Sequence, residues 1–270
     1  MAANSEPMNV SINVPEVKLS SASGHRKMPV IGLGSAVDNI DESAMKSAVL
    51  ESIKLGYRHF DTASLYGTER ALGEAIAEAL KLGLVASREE LFITTKLWCS
   101  DAHRDLVVPA LKKSLKTLQI EYVDLYLIHW PMSAKPSEKL RNDIPEEDLV
   151  SLDYNGVWEA MEECQRHGLT KSIGVSNFSP KKIETILAFA TIPPTVNQVC
   201  LRWIIEQGAT AAVKSFNKER LKENLEIFDW ALTDDDHDKI RQIPQRRMMP
   251  RDDFIIPNGP FKTPEDLWDE

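Results

Sequence analysis

Short apolar segments alternate with amphipathic segments along most of the chain. The run from Val123 to Ile128 is almost continuously apolar, which is typical of a strand covered on both faces. Similar segments predict strands over residues 29–34, 57–63, 91–97, 123–130, 172–177, 195–199 and 210–216. Because helix-like segments separate these strands, the pattern predicts an α/β fold with a parallel sheet.

The segments between the strands have the periodicity and the end signals of helices. Leu72, Ile76 and Leu80 share one face of a helix predicted over residues 69–82, and Gly83 is expected to end it. Polar side chains precede three later helices and are expected to cap them: Asp101, Ser179 and Asn217.

The spacing of the strands favours a barrel. The early strands start about 32–34 residues apart, and a barrel of eight βα units needs about 31 residues per unit. The last interval is too short, because only ten residues separate Val199 from Thr210. Two βα units would occupy roughly 60 residues there. We predict one barrel domain over residues 26–270, preceded by a polar leader of residues 1–25.

Composition narrows the classes of partner. The 270 residues include 32 Lys and Arg against 41 Asp and Glu, and the net charge of −9 disfavours nucleic acid and membrane partners. Cys99, Cys164 and Cys200 have neither metal-binding nor disulfide spacing. We therefore expect no metal site, reduced thiols and a cytoplasmic location.

Polar residues at the ends of three consecutive strands carry the candidate chemistry. Asp61 and Tyr66 follow the second strand, Lys96 lies at the end of the third and His129 at the end of the fourth. In a parallel barrel these positions share one face. A buried Lys96 ammonium would lower the pKa of Tyr66, Asp61 would be its counter-ion, and His129 would hydrogen-bond a carbonyl oxygen. The same four residues also permit a structural interpretation, with an ion pair, a core histidine and a loop aromatic.

Five segments of the chain resemble successive signatures of the aldo-keto reductase superfamily: Gly56-Tyr-Arg-His-Phe-Asp-Thr-Ala-Ser-Leu-Tyr66-Gly-Thr-Glu, Leu91-Phe-Ile-Thr-Thr-Lys96-Leu-Trp, Val123-Asp-Leu-Tyr-Leu-Ile-His129-Trp-Pro, Ile173-Gly-Val-Ser-Asn177-Phe and Val213-Lys-Ser-Phe-Asn-Lys-Glu-Arg220. Other segments are similar to a plant group that includes codeinone reductase, methylecgonone reductase and the chalcone-pathway polyketide reductase. The resemblance covers residues from about 15 to 270.

This resemblance implies a (β/α)₈ TIM barrel that uses NADPH to reduce an aldehyde or ketone in plant specialised metabolism. Tyr66 would be the general acid, tuned by Lys96 and Asp61, and His129 would orient the carbonyl. Residues that match contacts to the nicotinamide carboxamide are Ser176, Asn177 and Gln198.

Further residues match the other end of the cofactor and the substrate pocket. Lys214, Ser215 and Arg220 match the group that binds the 2′-phosphate, and their position at a predicted helix N-terminus independently favours an anion site. Asn224 matches an adenine contact. Gly34 and Ser35 would let the backbone approach the cofactor, although the segment is not a Rossmann fingerprint. Trp98 and Trp130 are expected to line an aromatic substrate pocket, or to pack at its rim.

The chain departs from the family pattern after Val199. Complete members continue with a helix, a seventh strand and a loop over the pyrophosphate, whereas this sequence passes directly to Cys200-Leu-Arg-Trp. We therefore predict a barrel that lacks the sixth helix and the seventh strand, and Gln198 can belong to either side of the deletion.

This departure leaves three hypotheses open. The chain is an active NADPH-dependent carbonyl reductase, an inactive or poorly folding variant with a damaged cofactor cleft, or a binding protein without catalysis. We expect a monomer if the barrel is complete and association if it is open. The sequence does not identify the substrate, which the loop over residues 131–152 and the C-terminal tail would select.

Overall fold

The central sheet is built from six parallel strands. The computed structural model describes residues 14–19, 27–37, 41–137, 143–194, 211–213, 215–228, 233–234, 237–238, 251–257 and 259–269. Its strands are β1 Glu16–Lys18, β2 Lys27–Pro29, β3 Ile31–Gly34, β4 His59–Asp61, β5 Phe92–Leu97, β6 Val123–Ile128, β7 Met132–Ala134, β8 Leu149–Ser151, β9 Thr170–Val175 and β10 Ala211–Val213. Its α-helices are α1 Glu42–Leu55, α2 Glu69–Lys81, α3 Arg104–Leu118, α4 Tyr154–Arg166, α5 Pro180–Leu187, α6 Lys218–Leu225 and α7 Pro264–Trp268.

The strand order of this sheet is that of a closing barrel. The order is β10-β3-β4-β5-β6-β9, and every neighbouring pair is parallel. Because β10 comes last in the chain and pairs with β3, the end of the sheet returns to its beginning, as a barrel requires. Within the described ranges β9 and β10 each have one neighbour in this sheet. The strand predicted over residues 195–199 lies outside these ranges, as do Gln198 and Lys214.

Both faces of the sheet are buried, as the continuous apolar run predicts. Tyr126 and Ile128 belong to the large core between the sheet and its helices. Leu125 and Leu127 alternate with them and face a second cluster on the opposite side. Every residue of β6 is buried.

The end of the polar leader contributes to this second cluster. β1 pairs with β2 in an antiparallel register that sets Val17 opposite Met28. Leu19 and Met28 pack in the same cluster as Phe92 of β5. The predicted boundary between residues 25 and 26 therefore lies between two paired strands.

Most predicted helix ends are confirmed. Gly83 follows α2 in a left-handed conformation with φ of 68°, and its N–H donates to the Leu80 carbonyl. The side chains of Ser179 and Asn217 accept backbone N–H bonds at the starts of α5 and α6. The prediction for Asp101 is wrong. That residue ends a single 3₁₀ turn, Cys99–Asp101, and the cap of α3 is His103.

Gly32 has a packing role. A side chain at this position would place its Cβ 2.7 Å from the ring of His59, which lies in the interior with 3% exposure. The ring contacts the Pro29 carbonyl through Nδ1 and Thr94 Oγ1 through Nε2. Glycine at residue 32 thus lets β3 approach His59 closely.

Candidate active site

Parallel strands bring the four predicted catalytic residues to one edge of the sheet. Asp61 is the last residue of β4, Lys96 is near the end of β5 and His129 directly follows β6. Tyr66 ends a short 3₁₀ helix, Ser64–Tyr66, after β4. The pairing register sets Lys96 beside Leu127 and holds the β5 and β6 ends level.

These four side chains form one connected cluster. The Lys96 Nζ lies 2.5 Å from Asp61 Oδ1 and 3.5 Å from the Tyr66 hydroxyl. It also donates to the Thr62 carbonyl at 3.0 Å. The Tyr66 hydroxyl lies 3.3 Å from His129 Nε2. The sequence prediction that these residues meet is therefore confirmed geometrically, while their catalytic roles remain predictions.

Burial, rather than Lys96, controls the pKa of Tyr66. Burial raises the pKa of this phenol, Lys96 opposes the rise and Asp61 adds to it, so that the pKa lies above its ordinary value of 10.0. The sequence prediction named only the influence of Lys96, so its net direction was wrong. The consequence is a phenol that keeps its proton at neutral pH.

The other ionisable members of the cluster have complementary charge states. Burial lowers the pKa of Lys96, but Asp61 and Tyr66 together raise it above the ordinary value, so the side chain is an ammonium. Burial, followed by the charges of Lys96 and Arg251, holds the pKa of His129 well below its usual range. The imidazole is therefore neutral, and its Nδ1 is buried without a hydrogen-bond partner among the described residues.

Ser176 and Asn177 extend the cluster along the same edge. The Ser176 N–H donates to the Ile128 carbonyl, and Asn177 has a φ of 62°. The Asn177 amide nitrogen donates to the His129 carbonyl at 2.9 Å and to Ser176 Oγ at 3.1 Å. These bonds fix the orientation of the amide. Within the described residues they leave the Ser176 hydroxyl hydrogen and the Asn177 Oδ1 available as one donor and one acceptor.

Gly34 and Ser35 lie at the end of β3, but the hydrogen-bonding groups of Ser35 are engaged within the protein. Its backbone N–H donates to the Asp61 carbonyl, and its hydroxyl lies 2.7 Å from Thr68 Oγ1. Ser35 is 4% exposed. The predicted approach of a cofactor to these two residues is therefore the cofactor contact that the geometry supports least.

An open pocket lies where the sequence predicts the anion site. Its volume is about 490 Å³, and it is lined by Ser215, Phe216, Asn217 and Arg220 at the N-terminus of α6. The Asn217 side chain accepts the Arg220 N–H at 3.0 Å. Phe216 is 48% exposed, and sequence reasoning missed it, although an aromatic residue between a strand end and a helix cap is a recognisable signal.

Asn224 lies apart from the residues that line this pocket. It hydrogen-bonds the hydroxyl of Tyr57, whose pKa burial raises to about 12. The same hydroxyl donates to the Leu221 carbonyl at 3.0 Å. Asn224 therefore helps to fix α6 on the core, and its predicted contact with adenine remains a prediction.

The predicted substrate residues form an aromatic wall beside His129. Trp98 meets the imidazole edge to face at 5.2 Å between ring centroids, and Trp130 stacks beside it at 6.4 Å. Phe254 and Trp268, which are part of the C-terminal tail, contact Trp130 at 5.3 and 6.2 Å. The tail thus covers the wall at the position where the sequence predicts that it shapes the pocket.

Buried polar contacts attach the tail to α5. The Lys182 Nζ donates to the carbonyls of Asp266 and Leu267 and to Asp269 Oδ2. Ser179 donates to the same carboxylate. This tail clamp, formed by Ser179, Lys182 and Asp269, fixes α7 over the carboxyl end of the sheet.

With this geometry established, comparison with known proteins identifies the family. The model of the Aldo/keto reductase family matches residues 30–199 and 194–245. The chain belongs to the aldo/keto reductase family. This membership confirms the resemblance seen in the sequence and the predicted α/β barrel class; the predicted incompleteness of the barrel stays a prediction.

Plant members of the family are similar along nearly the whole chain. A protein of Papaver somniferum named NADPH-dependent codeinone reductase 1-4 is 45% identical over 321 aligned positions, covering 96% of this chain and 99% of the relative. Deoxymugineic acid synthase 1-D of Triticum aestivum is 46% identical, covering 90% and 96%. The NAD(P)H-dependent 6'-deoxychalcone synthase of Glycine max is 44% identical, covering 97% and 99%.

A solved member of the family has a similar backbone. The aldo-keto reductase of Bombyx mori, determined in complex with NADP, superimposes with a TM-score of 0.75 at 30% identity, covering 85% of this chain and 92% of that one. Two searches of the described residues returned nothing. They contain no cluster of three or more His, Cys, Asp or Glu suited to a metal. Within those same ranges, no helix has the length and apolar character needed to cross a membrane.

Proposed function

We propose that this protein reduces an aldehyde or ketone to an alcohol, with NADPH as the hydride donor. The observation that carries the proposal is the contact of a protonated phenol with a buried ammonium on one side and a neutral imidazole on the other. Family membership and the names of the plant relatives support the same reaction.

The cluster can transfer one proton to a carbonyl oxygen. An oxygen that accepts hydrogen bonds from both the Tyr66 hydroxyl and His129 lies between two groups that are 3.3 Å apart. As negative charge grows on that oxygen, Tyr66 donates its proton and becomes a phenolate. The Lys96 ammonium stabilises this phenolate, and Asp61 keeps the ammonium charged.

The described residues fit NADPH at both of its ends. Arg220 and the N-terminus of α6 supply positive potential for a 2′-phosphate, and the exposed ring of Phe216 offers an apolar wall next to it. At the other end, the hydroxyl of Ser176 and Oδ1 of Asn177 provide the donor and acceptor that a carboxamide needs. Gln198 and Lys214 stay predictions because they lie outside the described residues.

We infer a cytoplasmic setting and a small-molecule substrate. Cys99 and Cys164 are buried free cysteines. Burial raises the pKa of both thiols to about 12, which keeps them protonated and unreactive. The excess of acidic residues disfavours binding to nucleic acid or an anionic membrane.

A second candidate, a variant with a damaged cofactor cleft, is favoured by one specific observation. The two family matches overlap at residues 194–199, where the sequence predicts the deletion. The alignment to the poppy relative also runs over 321 positions, although this chain has 270 residues. A missing helix and strand would remove part of the cleft and leave an open sheet edge that promotes association.

Binding and turnover of the purified chain distinguish the two candidates. NADPH is titrated while tryptophan fluorescence is recorded, and NADPH oxidation is followed with methyl 4-formylbenzoate as the carbonyl. Saturable binding with carbonyl-dependent oxidation supports the reductase. Absent binding supports the damaged cleft, and binding without turnover supports a protein that holds the cofactor but lacks catalysis.

An insertion variant tests the deletion itself. The missing segment of the poppy relative is placed between Val199 and Cys200, and both measurements are repeated. Recovery of binding and turnover identifies the deletion as the cause, whereas equal behaviour of the two chains contradicts it.

A further inference from the structure

Arg251 carries an unused positive charge into the aromatic wall of the candidate pocket. Its guanidinium carbon lies 3.8 Å from the ring centroid of Phe254 and 4.9 Å from that of Trp130. The side chain is 10% exposed. Its backbone has a φ of 59°, a left-handed conformation that few residues other than glycine adopt.

The donors of this guanidinium are poorly satisfied. Its Nη2 lies 2.8 Å from Asp253 Oδ2, yet it makes no hydrogen bond there, and the Asp253 side chain is 56% exposed. Its Nε is also buried without a hydrogen-bond partner among the described residues. A buried charged donor without an acceptor is costly, and such groups are found where a ligand supplies the acceptor.

The two unsatisfied donors have a specific geometry. Nε and Nη2 form one edge of the planar guanidinium, and their two N–H bonds are parallel. This edge matches the two oxygens of a carboxylate in a bidentate pair. A neutral carbonyl or hydroxyl oxygen would satisfy only one of the two donors.

The charge of Arg251 also reaches the reacting centre. It contributes to the low pKa of His129, and it acts on the buried thiol of Cys99. Trp130 lies between the two regions, because its ring stacks beside His129 and lies under the guanidinium. A substrate that lies along Trp130 with its carbonyl at His129 would bring its other end to Arg251.

We propose that Arg251 binds a carboxylate of the substrate, so that the preferred substrates are aldehydes and ketones that also carry an acid group. This proposal rests on the proposed function, because it names the substrate class of the same site. Asp253 occupies one side of the guanidinium in the absence of substrate, and its exposed carboxylate moves into water when a substrate acid replaces it.

The test compares two substrates that differ in one charge. 4-Carboxybenzaldehyde carries the acid, and methyl 4-formylbenzoate has a similar shape without it. In the parent chain KM for the acid is lower than for the ester. Arg251→Met raises KM for the acid about tenfold or more and leaves KM for the ester within about threefold. Arg251→Lys recovers part of the loss, because it keeps the charge but not the paired donors.

Controls separate recognition from structure. Arg104→Met removes an exposed arginine that pairs with Glu159 on α4, and it should leave both substrates unchanged. Equal losses for acid and ester in Arg251→Met, at an unchanged melting temperature, would show that Arg251 only holds the tail. Equal KM values in the parent would also overturn the proposal.

A binding measurement keeps this test separate from the proposed function. 4-Carboxybenzyl alcohol and its methyl ester, the two expected products, are titrated against tryptophan fluorescence. Tighter binding of the acid, lost in Arg251→Met, supports the carboxylate site even in a chain without turnover. Equal binding of both compounds contradicts it. Lack of ester reduction in the parent counts against the reductase alone.

Discussion

The strand-end cluster and the anion pocket are built in opposite ways. The cluster of Asp61, Tyr66, Lys96 and His129 joins groups that are 30 to 63 residues apart in sequence, and its ion pair is almost completely buried. The pocket at residues 215–220 is formed by neighbours in sequence and is open to solvent.

This difference separates chemistry from cofactor selection. The cluster depends on the register of three strands and on a dry environment, which strengthens every charge within it. The pocket depends on one strand end, one helix cap and one cation in water. We therefore expect substitutions in the cluster to affect turnover and folding together, and substitutions in the pocket to affect only the choice of cofactor.

The largest effect is expected from Tyr66→Phe. This change removes the proton donor, and kcat should fall about 10²–10⁴-fold, the usual contribution of a positioned general acid. NADPH affinity should stay nearly unchanged, because the hydroxyl is absent from the anion pocket. The measurements are steady-state reduction of methyl 4-formylbenzoate and fluorescence titration with NADPH.

Tyr154→Phe is the matched control for this prediction. Tyr154 packs edge to face on Phe178, away from the four-residue cluster, and its removal should leave kcat unchanged. Turnover of Tyr66→Phe within a few-fold of the parent would refute the role of Tyr66 and leave its contacts as structural.

The next effect compares an ion pair from each region. Asp61→Asn leaves the buried Lys96 ammonium without its counter-ion, and the free energy of unfolding should fall by about 3–5 kcal/mol. Lys218→Ala breaks the exposed pair with Glu51, which attaches α6 to α1, and should cause no measurable loss. Urea unfolding at neutral pH measures both. Equal losses would show that the two regions are not built differently.

The smallest effect sharpens the role of the pocket. Arg220→Ala should weaken NADPH binding by about 10- to 150-fold, because a charge-assisted bond contributes about 1.5–3 kcal/mol. NADH, which has no 2′-phosphate, should bind as in the parent. Lys222→Ala lies on the same helix outside the pocket, pairs with Glu226 and serves as control. Parallel losses for NADPH and NADH would remove Arg220 from phosphate recognition.

Sequence reasoning predicted the cluster better than its electrostatics. The rule that parallel strands end on one face is enough to bring Asp61, Lys96 and His129 together. The net pKa direction of Tyr66 depends on how deeply the phenol is buried, which periodicity does not show. The N-cap of α3 was misplaced for a similar local reason, because a 3₁₀ turn after Trp98 delays the helix start to Arg104.

The C-terminal tail was predicted only in outline. Its sequence places it at the pocket through resemblance, but no pattern reveals that Arg251 faces Trp130 or that Lys182 binds α7. Such contacts join segments that are remote in the chain, and their partners are single side chains rather than a repeating stripe. They become visible only when the tertiary packing is known.

The position of the tail clamp has a consequence for how the protein is made. Proteins are synthesised from the N-terminus, and early segments begin to fold while later ones are still absent. The strands that carry Trp98 and Trp130 therefore emerge before residues 251–269, which cover them. During that interval the nascent chain presents an uncovered aromatic surface to the cytosol. Docking of α7 through Lys182 ends this stage, so the clamp shortens the time for which chaperones must shield the newborn protein.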